Sequence, residues 1–295
     1  MPAVYQCRVC NYHTQSPASK DLGQVQGNTR RFKDRTFELW QCPECCSIMS
    51  LEPVDFRSIY SDYPLNTRRL DIFAKLTLSN LLRRLKKAGL KKSDRILDYG
   101  CGNGGLFVRF LRDEGYLNVQ GYDPYTEAFS RPPGKEVKFD WVVANDVIEH
   151  CDDVRGMLKD AIDSLALGGL LYVGTCETSG VNMQSLVPHV MRLHQPFHRV
   201  IVSRDVLSNL IVSHHMQIVG SYVRSYMDTP FPFANYRFLD EMSKAFNHVM
   251  EDMLDPKAGR IFLKKPYLFF YAFVGYFFPS AYEPAVIARK LEGGE

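Results

Sequence analysis

The chain has 295 residues, of which 45% are hydrophobic and 23% are charged, and its formal net charge at pH 7 is +3. This composition is typical of a globular protein, and the length allows one large α/β domain with a small appendage. The charge is too small to indicate nucleic acid as the partner, and no stretch reaches the roughly 18 apolar residues that a membrane-spanning helix needs.

The first residues lack the basic, apolar and small-residue pattern of a secretory leader, so we expect a cytoplasmic protein. In that compartment the eight cysteines are expected to act as metal ligands and free thiols rather than as disulfides. Four of them form two CxxC pairs near the N-terminus. The pairs are Cys7 with Cys10, and Cys42 with Cys45.

A CxxC turn places two thiolates on one side of a tight loop, and two such turns close a tetrahedral zinc site. We therefore predict a zinc ribbon over residues 1–52, with a strand from Phe37 to Trp40 before the second pair and a core too small to fold without the metal. Four thiolates leave no open coordination position, so the zinc is expected to be structural. Cys46 and His13 are alternative ligands. A redox role for the CxxC pairs fits their spacing less well.

Residues 53–92 are predicted to form a linker and an N-terminal helix. The linker carries Tyr60 and Tyr63, which we expect to lie over the mouth of the following domain. Residues 70–90 have an apolar stripe at helical spacing, and Gly89 ends the helix. The opposite face is basic, and we expect it to be solvated rather than bound to nucleic acid. Its residues are Arg83, Arg84, Lys86, Lys87, Lys91 and Lys92.

Residues 95–107, RILDYGCGNGGLF, combine a short apolar run, an aspartate and a glycine-rich turn. Apolar residues at helical spacing follow, so the stretch predicts strand, turn and helix, with backbone N–H groups at the helix start. The spacing differs from that of a dinucleotide or phosphate-binding loop. Because Asp98 would repel phosphates, this turn suits a cationic or zwitterionic ligand.

A second acidic residue, Asp123, ends a short strand predicted over residues 118–122 and stands 25 positions after Asp98. A carboxylate at this distance suits a ribose diol, because it accepts two hydrogen bonds; a surface aspartate is the alternative. Only residues 124–139 separate this strand from the next. We therefore predict that the third strand of the sheet is short or missing, and that Tyr125 and Phe139 substitute for the usual adenine contacts.

Two further segments complete the pattern: residues 140–150, DWVVANDVIEH, and residues 165–175, LALGGLLYVGT. Together with the glycine turn they resemble class I S-adenosylmethionine (SAM) methyltransferases of the ubiquinone-biosynthesis type, relatives of methyltransferase types 11 and 23. The resemblance implies an α/β, Rossmann-like seven-stranded sheet over residues 93–295 that binds SAM. The cofactor-binding residues that it implies are Asp98, Gly100, Cys101, Gly102, Asn103, Gly104, Asp123, Pro124, Asn145, Asp146 and Val147.

Methyl transfer needs an acceptor held in line with the methyl group, and a base where the acceptor must lose a proton. The candidates are His150, Glu149, His198 and His194. Asp146, Glu149 and His150 also resemble the divalent-metal set of small-RNA 2′-O-methyltransferases, in which a glutamate usually stands at the position of Asp146. A second divalent metal at these residues, a base without metal and a structural role all stay open.

Residues 227–283 are predicted as a helical insertion between a strand over residues 216–226 and a final antiparallel strand over residues 285–290. The insertion contains LFFYAFVGYFF at residues 268–278. It is a buried core helix, a lid over an apolar acceptor, or a peripheral membrane contact. Lys264 and Lys265 favour the last of these.

The sequence as a whole predicts SAM-dependent methyl transfer to a small-molecule acceptor, such as a sugar, lipid or specialised metabolite, in a biosynthetic pathway. The acceptor is expected to be partly hydrophobic, and nucleic acid is not the expected partner. The alternatives are an RNA or protein methyltransferase whose zinc ribbon holds the macromolecule, and a non-enzymatic SAM-binding protein. A modest basic stripe would serve the first alternative. Its residues are Arg30, Arg31, Lys33 and Arg35.

Overall fold

Five short strands form the first part of the computed structural model, which describes residues 4–280 and 283–292. They are β1 (Tyr5–Gln6), β2 (His13–Thr14), β3 (Leu22–Gln26), β4 (Thr36–Gln41) and β5 (Ile48–Ser50). β1 and β2 form an antiparallel hairpin, and β3, β4 and β5 form an antiparallel sheet. The strand predicted before the second CxxC pair is present as β4. The ends of the predicted ranges 1–52 and 93–295, and residues 281–282 of the insertion, lie outside the described residues.

Two helices, α1 (Phe56–Ser61) and α2 (Ile72–Lys87), lead to the central sheet. The side chain of Asp71 caps the first turn of α2, and Gly89, at φ +106°, follows its end as expected. The prediction that Arg84 lies on a solvated face is wrong. Its side chain is buried, and the guanidinium donates hydrogen bonds to the carbonyls of Arg224 and Ser225, because α2 packs against that segment.

Strands and helices alternate through the central part of the chain. In order they are β6 (Ile96–Tyr99), α3 (Leu106–Asp113), β7 (Val119–Tyr122), β8 (Phe139–Asn145), α4 (Val154–Asp163), β9 (Leu165–Gly174), α5 (Val190–Leu193), β10 (Val200–Ile201), α6 (Arg204–Ser213) and β11 (Met216–Tyr222). After β11 come α7 (Tyr236–Ala245), α8 (Met250–Leu254), α9 (Ile261–Lys264), α10 (Tyr267–Val274) and β12 (Ala285–Lys290).

The central sheet has six strands in the order β11-β12-β9-β8-β6-β7. Strands β7, β6, β8 and β9 are parallel, and β12 runs antiparallel between β9 and β11, as predicted for the final strand. The predicted Rossmann-like α/β fold is confirmed. Parallel strands end at one edge of a sheet, and ligands of open α/β sheets bind at that edge.

The third strand of the expected seven is missing, as predicted. Between β7 and β8, where every residue is described, the only regular element is a single 3₁₀ turn at Glu127–Phe129. The edge strand β7 therefore stays uncovered on its outer side. Its loss leaves the order of the remaining strands unchanged, because no other strand depends on an edge strand for its pairing.

The N-terminal sheet is continuous with the large domain, because β10 pairs antiparallel with β5. Arg199, just before β10, is fully buried at this junction. Its guanidinium donates hydrogen bonds to the Asp152 carboxylate at 3.1 Å, the Ser50 hydroxyl at 2.7 Å and the Glu52 carbonyl at 2.6 Å. The N-terminal sheet is thus fixed against the segment that follows β8.

The insertion after β11 folds into helices α7 to α10, which have a small core of their own. Phe238 and Met242 on α7 pack against Leu268 and Ala272 on α10. The Asn235 side chain caps α7 by accepting from the Phe238 N–H, and its amide donates to the carbonyls at the middle of α10. No helix in the described part of the chain is both long and apolar enough to cross a membrane.

Candidate active site

The glycine turn after β6 exposes its backbone to open space. Gly100 and Gly102 have φ values of +77° and +66°, which only glycine adopts freely. A side chain at Gly100 would collide with Val147, 2.5 Å away, whereas a Cβ at Gly102 or Gly104 would meet nothing within 4 Å. Gly100 is therefore required because Val147 leaves no room for a side chain. Gly102 and Gly104 leave room for a ligand beside the main chain. Cys101 and Asn103 belong to the same turn.

Asp98 lies at the end of β6 and is buried, and its Oδ2 has no hydrogen-bond partner among the described residues. Burial, and secondarily the charge of Asp123, raise the pKa of Asp98 to about 7. An unpaired carboxylate oxygen in such a place is costly unless a cation binds it. The methionine part of SAM carries an ammonium group, so this orphaned oxygen fits SAM.

Asp123 follows β7 and stands on the opposite side of the glycine turn. Its Oδ2 accepts from the Gly102 N–H at 3.0 Å, and its Oδ1 accepts from the Tyr125 N–H at 2.9 Å. Burial raises the pKa of Asp123, and these two hydrogen bonds partly oppose the effect. Each carboxylate oxygen keeps a second lone pair, so the group can still accept from a ribose diol. Pro124 continues the same turn.

The end of β8 brings a third set of polar groups to this edge. The Asn145 amide donates to the Asp146 carboxylate at 2.9 Å, and the Tyr226 hydroxyl lies 3.3 Å from the same oxygen. Asp146 has a positive φ of +56°, and burial raises its pKa to about 6. The Asn145 Oδ1 is buried and has no partner among the described residues. It is a second unsatisfied polar atom in the cleft.

Glu149 is buried just after this strand end. Its Oε2 accepts from the Thr175 hydroxyl at 2.8 Å, and its backbone carbonyl accepts from the Arg199 N–H at 2.6 Å. Burial, and then the charge of Asp146, raise the pKa of Glu149 well above its usual value. Glu283, before β12, has its pKa raised to about 8 by the same two causes. Sequence analysis missed Glu283, because nothing near it in the chain marks it.

Three histidines meet beside Glu149, as sequence analysis grouped them. The ring of His198 lies 4.7 Å from that of His150 and 5.0 Å from that of His194, measured between centroids. Burial lowers the pKa of all three, and that of His198 falls to about 4. The cluster is therefore neutral at physiological pH.

The hydrogen bonds of the three histidines differ. His194 Nδ1 contacts the side-chain amide oxygen of Asn28 at 2.6 Å and Nε2 contacts the Tyr63 hydroxyl at 3.2 Å, so both nitrogens are engaged. His150 Nδ1 contacts the Tyr60 hydroxyl at 2.7 Å.

His198 is bonded at one ring nitrogen. Its Nδ1–H donates to the Arg192 carbonyl at 2.6 Å, which fixes the tautomer and leaves the lone pair on Nε2. No hydrogen bond between described residues occupies Nε2 of His198, whereas the Tyr63 hydroxyl occupies Nε2 of His194. The sequence could not distinguish these two rings, because Tyr63 lies 131 positions before His194.

Tyr60 and Tyr63 on the linker form an aromatic wall over this cluster. Tyr63 packs on Phe197 with ring centroids 4.7 Å apart, and Tyr60 stacks on Tyr125 at 5.5 Å. Both tyrosines thus lie where the sequence placed them, at the mouth of the cleft. Tyr125 belongs to this wall. Phe139, by contrast, is buried in the sheet core.

Two groups of metal-binding atoms occur in the part of the chain that the structure describes, each with all its atoms within 4.8 Å of one another. The first consists of Cys7, Cys10, Cys42 and Cys45, and leaves out both Cys46 and His13. The second consists of Glu149, Cys176 and His198. Asp146 and His150, proposed from the sequence as metal ligands with Glu149, lie outside that second group.

Comparison with known proteins agrees with this geometry. A family model described as a methyltransferase domain matches residues 70–214. The matched range contains the glycine turn, Asp123, the end of β8 and the three histidines. These residues form a SAM-dependent methyltransferase domain.

Among curated proteins, this methyltransferase is 27% identical over 145 residues to "Probable cobalt-precorrin-6B C(15)-methyltransferase (decarboxylating)" of Methanosarcina mazei, an alignment that spans 46% of this chain and 79% of that one. A solved complex of the Haloferax volcanii Trm112 methyltransferase activator with a methyltransferase matches at TM-score 0.50 and 12% identity, over 82% of this chain and 100% of that chain. The Burkholderia thailandensis 1,6-didemethyltoxoflavin-N1-methyltransferase matches at TM-score 0.47 and 16% identity, over 88% of this chain and 97% of that chain.

Proposed function

We propose that this methyltransferase acts on a small, partly hydrophobic acceptor, such as a sugar, lipid or specialised metabolite, in a biosynthetic pathway. The observation that carries the proposal is the aromatic wall beside the histidine cluster. Tyr60, Tyr63 and Phe197 are in mutual ring contact, and Tyr60 and Tyr63 also contact the imidazole of His150. An apolar wall with a few convergent polar groups suits an acceptor that has an apolar body and one reactive polar atom.

The donor side of the site follows from the glycine turn. When bound, SAM supplies an electrophilic methyl group on its sulfonium centre. Asp98 would hold the ammonium group, Gly102 and Gly104 would accommodate the donor against the main chain, and Asp123 would bind the ribose. Asn145, Asp146 and Val147 line the strand end opposite the turn. With no third strand beside β7, we assign adenine contact to Tyr125.

We assign His198 as the general base. Its Nε2 lone pair is held in place by the hydrogen bond from Nδ1 to the Arg192 carbonyl. As the acceptor loses its proton, Nε2 takes it, and the resulting positive charge lies beside the Glu149 carboxyl, whose oxygen is within 4.8 Å of the His198 ring. Burial raises the pKa of Glu149, but a cation beside it favours the ionised carboxylate, so protonation of His198 stabilises the charged pair. His150 and His194 orient the wall and the cluster.

The four clustered cysteines are proposed to bind one structural zinc ion. Cys7 Sγ and Cys45 Sγ lie 3.5 Å apart, and Cys10 Sγ and Cys42 Sγ lie 3.6 Å apart. Zn–S bonds of about 2.3 Å in a tetrahedron separate the sulfurs by about 3.8 Å, so the geometry fits. The zinc would hold residues 1–52 in the shape that presents Asn28 to His194 and Arg8 to Asp152.

We further propose the domain limits 1–52 for the ribbon, 53–92 for the linker and helix, and 93–295 for the methyltransferase domain, with residues 227–283 as an acceptor lid. Contacts near the two ends of this insertion support its assignment as an acceptor lid. The Tyr226 hydroxyl contacts Asp146, and the Tyr236 ring is close enough to Glu283, Arg192 and Cys176 for their charges to act on its hydroxyl.

The alternative of a macromolecular acceptor has weaker support, because the basic stripe is largely neutralised. Arg30 pairs with Asp252 at 2.6 Å, Arg31 with Asp62 at 3.6 Å and Arg35 with Glu52 at 2.9 Å. A second divalent metal at Asp146, Glu149 and His150 likewise has weaker support, because Asp146 and His150 lie outside the group of metal-binding atoms that contains Glu149.

Transfer of radiolabelled methyl groups tests the proposal. The purified protein is incubated with methyl-tritiated SAM and, in separate reactions, with sugar nucleotides, lipid extracts, aromatic metabolites, total RNA and a protein extract. We expect label only in small molecules that a reversed-phase column retains. Label in RNA or protein at a comparable rate would contradict the proposal.

A further inference from the structure

The insertion presents an aromatic face that is not covered by any described part of the chain. It is made of residues on and beside α10, which we call the aromatic face. They are Leu263, Tyr267, Phe269, Phe270, Phe273 and Phe277. Leu263 is 88% exposed, Phe277 78% and Phe273 56%.

The exposure follows from the composition of α10. Leu268 and Ala272, one helical turn apart, are buried against α7. The remaining positions are equally apolar, because the sequence YLFFYAFV has no charged residue. A helix that is apolar all round is normally buried on all sides. Here one side of α10 is buried. The exposed residues cover about 160° of the helix circumference, since successive residues are about 100° apart.

Single exposed apolar side chains are ordinary, whereas a contiguous patch marks a contact surface. The aromatic face is contiguous with the core of the insertion. Phe269 packs on Phe262 with ring centroids 4.5 Å apart, and Phe233 contacts both Phe269 and Phe273. These ring contacts therefore fix the position of the aromatic face relative to the core of the insertion.

The segment that carries this face has only positive charges. Residues 256–280 contain four basic residues and no aspartate or glutamate. The four are Lys257, Arg260, Lys264 and Lys265. None of them takes part in an ion pair with any described residue. Of the acidic residues just before them, Glu251 and Asp252 are bound to Arg30, and Asp255 accepts from the Lys257 N–H at 2.7 Å.

We propose that the aromatic face docks on an anionic bilayer surface. Aromatic side chains would enter the interface between headgroups and acyl chains, and the four basic residues would bind acidic headgroups. A second copy of the chain fits less well, because a symmetric contact through this face would bring eight uncompensated positive charges together. Since α10 is an eight-residue helix, the contact lies on the membrane surface and does not span it.

Membrane docking through the aromatic face would affect the active site, because hydrogen bonds connect the insertion to the cleft. Asn235 joins the start of α7 to α10, and Asp228 accepts from the Tyr236 N–H at 3.0 Å. Tyr226, two residues before Asp228, contacts Asp146 in the cleft. A bilayer under α10 would thus hold the acceptor side of the cleft near the membrane. The proposal does not rest on the identity of the acceptor.

Vesicle co-sedimentation tests the proposal. The full chain is mixed with vesicles of phosphatidylcholine alone or of phosphatidylcholine and phosphatidylglycerol at 7:3. We expect binding to the anionic vesicles and little to the neutral ones. F270S/F273S should lower the partition coefficient at least about tenfold, and R260E/K264E should lower it about fivefold per residue. The matched controls are L117S/V212S, at exposed apolar positions elsewhere, and K86E/K87E, and both should bind as the wild type does.

A fluorescence measurement gives the depth of contact. The Phe273→Trp variant should be quenched by lipids brominated on the acyl chain, and the Val212→Trp control should not. Circular dichroism shows whether each variant is folded. If F270S/F273S is unfolded, R260E/K264E provides the test of the proposal, because it leaves the apolar packing intact. Three results would overturn the proposal: no binding to anionic vesicles, binding that neither F270S/F273S nor R260E/K264E weakens, or a dimer in light scattering that F270S/F273S dissociates while vesicles stay unbound.

Discussion

The hydroxyl of Tyr60 lies 2.7 Å from Nδ1 of His150, although the two residues are 90 positions apart. This contact joins the linker to the end of the segment after β8. It holds the ring of His150 in a fixed orientation. We assign the proton-accepting role to His198, whose Nδ1–H donates to the Arg192 carbonyl and leaves the lone pair on Nε2.

The Tyr60 contact predicts a positioning effect. Tyr60→Phe keeps the aromatic ring and removes the hydrogen bond to His150, so kcat should fall about tenfold while the SAM affinity stays the same. The matched variant Tyr63→Phe removes the contact with His194, whose ring centroid lies 5.0 Å from that of His198, compared with 4.7 Å for His150, and should have a smaller effect. Steady-state kinetics with the identified acceptor measure both. Equal rates for Tyr60→Phe and wild type would refute this role.

Loss of His198 should abolish most of the chemical step. We expect His198→Asn to lower kcat about 10²- to 10⁴-fold, with SAM affinity by calorimetry within twofold of wild type. His215→Asn, at an exposed position with positive φ, is the matched control and should leave both unchanged. The same loss in His150→Asn but not in His198→Asn would reverse the assignment.

Asp98 predicts how SAM affinity depends on pH. Because burial raises its pKa to about 7, the carboxyl takes up a proton as the pH falls through 7, and the site loses its negative charge. The SAM affinity should therefore fall by up to about tenfold per pH unit below 7. His198, with its pKa lowered to about 4, stays neutral over the same range. Calorimetric titrations at pH 5.5 to 8.5 measure this, and a flat profile would be inconsistent with it.

The buried carboxyl of Asp98 should also destabilise the ligand-free protein while it strengthens SAM binding. Its pKa is 3.8 when unperturbed and about 7 in the fold, so the ionised form is disfavoured by folding, and the ligand-free protein becomes less stable as the pH rises above about 4. Asp98→Asn should raise the free energy of unfolding at pH 8 by about 2 kcal/mol and weaken SAM binding at least about 100-fold. Thermal unfolding with and without SAM tests both parts. A lower unfolding midpoint for the ligand-free variant would show that the charge is not the dominant effect.

Metal analysis should find one zinc per chain. Cys10→Ser should lose the zinc and lower the unfolding midpoint, and it should also reduce activity, because Asn28 and Arg8 would no longer hold His194 and Asp152. Cys46→Ser is the control, since Cys46 is exposed and outside the cysteine group. A second metal that is bound stoichiometrically and lost in His198→Asn would instead support a metal centre at Glu149, Cys176 and His198.

The sequence by itself determined the parts whose cause is local. The glycine turn after Asp98, the two CxxC pairs, the cap of α2 and the shortness of residues 124–139 each depend on a few neighbouring residues. From these follow the Rossmann-like sheet, the cradle for SAM and the missing third strand. Such features are readable because glycine conformations, turn spacing and hydrophobic periodicity act over a few positions along the chain.

Only the tertiary structure decided which groups contact His150 and His194, because those partners lie far away in the chain. Asn28 reaches His194 across 166 positions and Tyr60 reaches His150 across 90. The burial of Arg84 and the pairing of β10 with β5 have the same origin. Hydrogen bonds between distant segments depend on how whole elements pack, and no pattern within either segment records them.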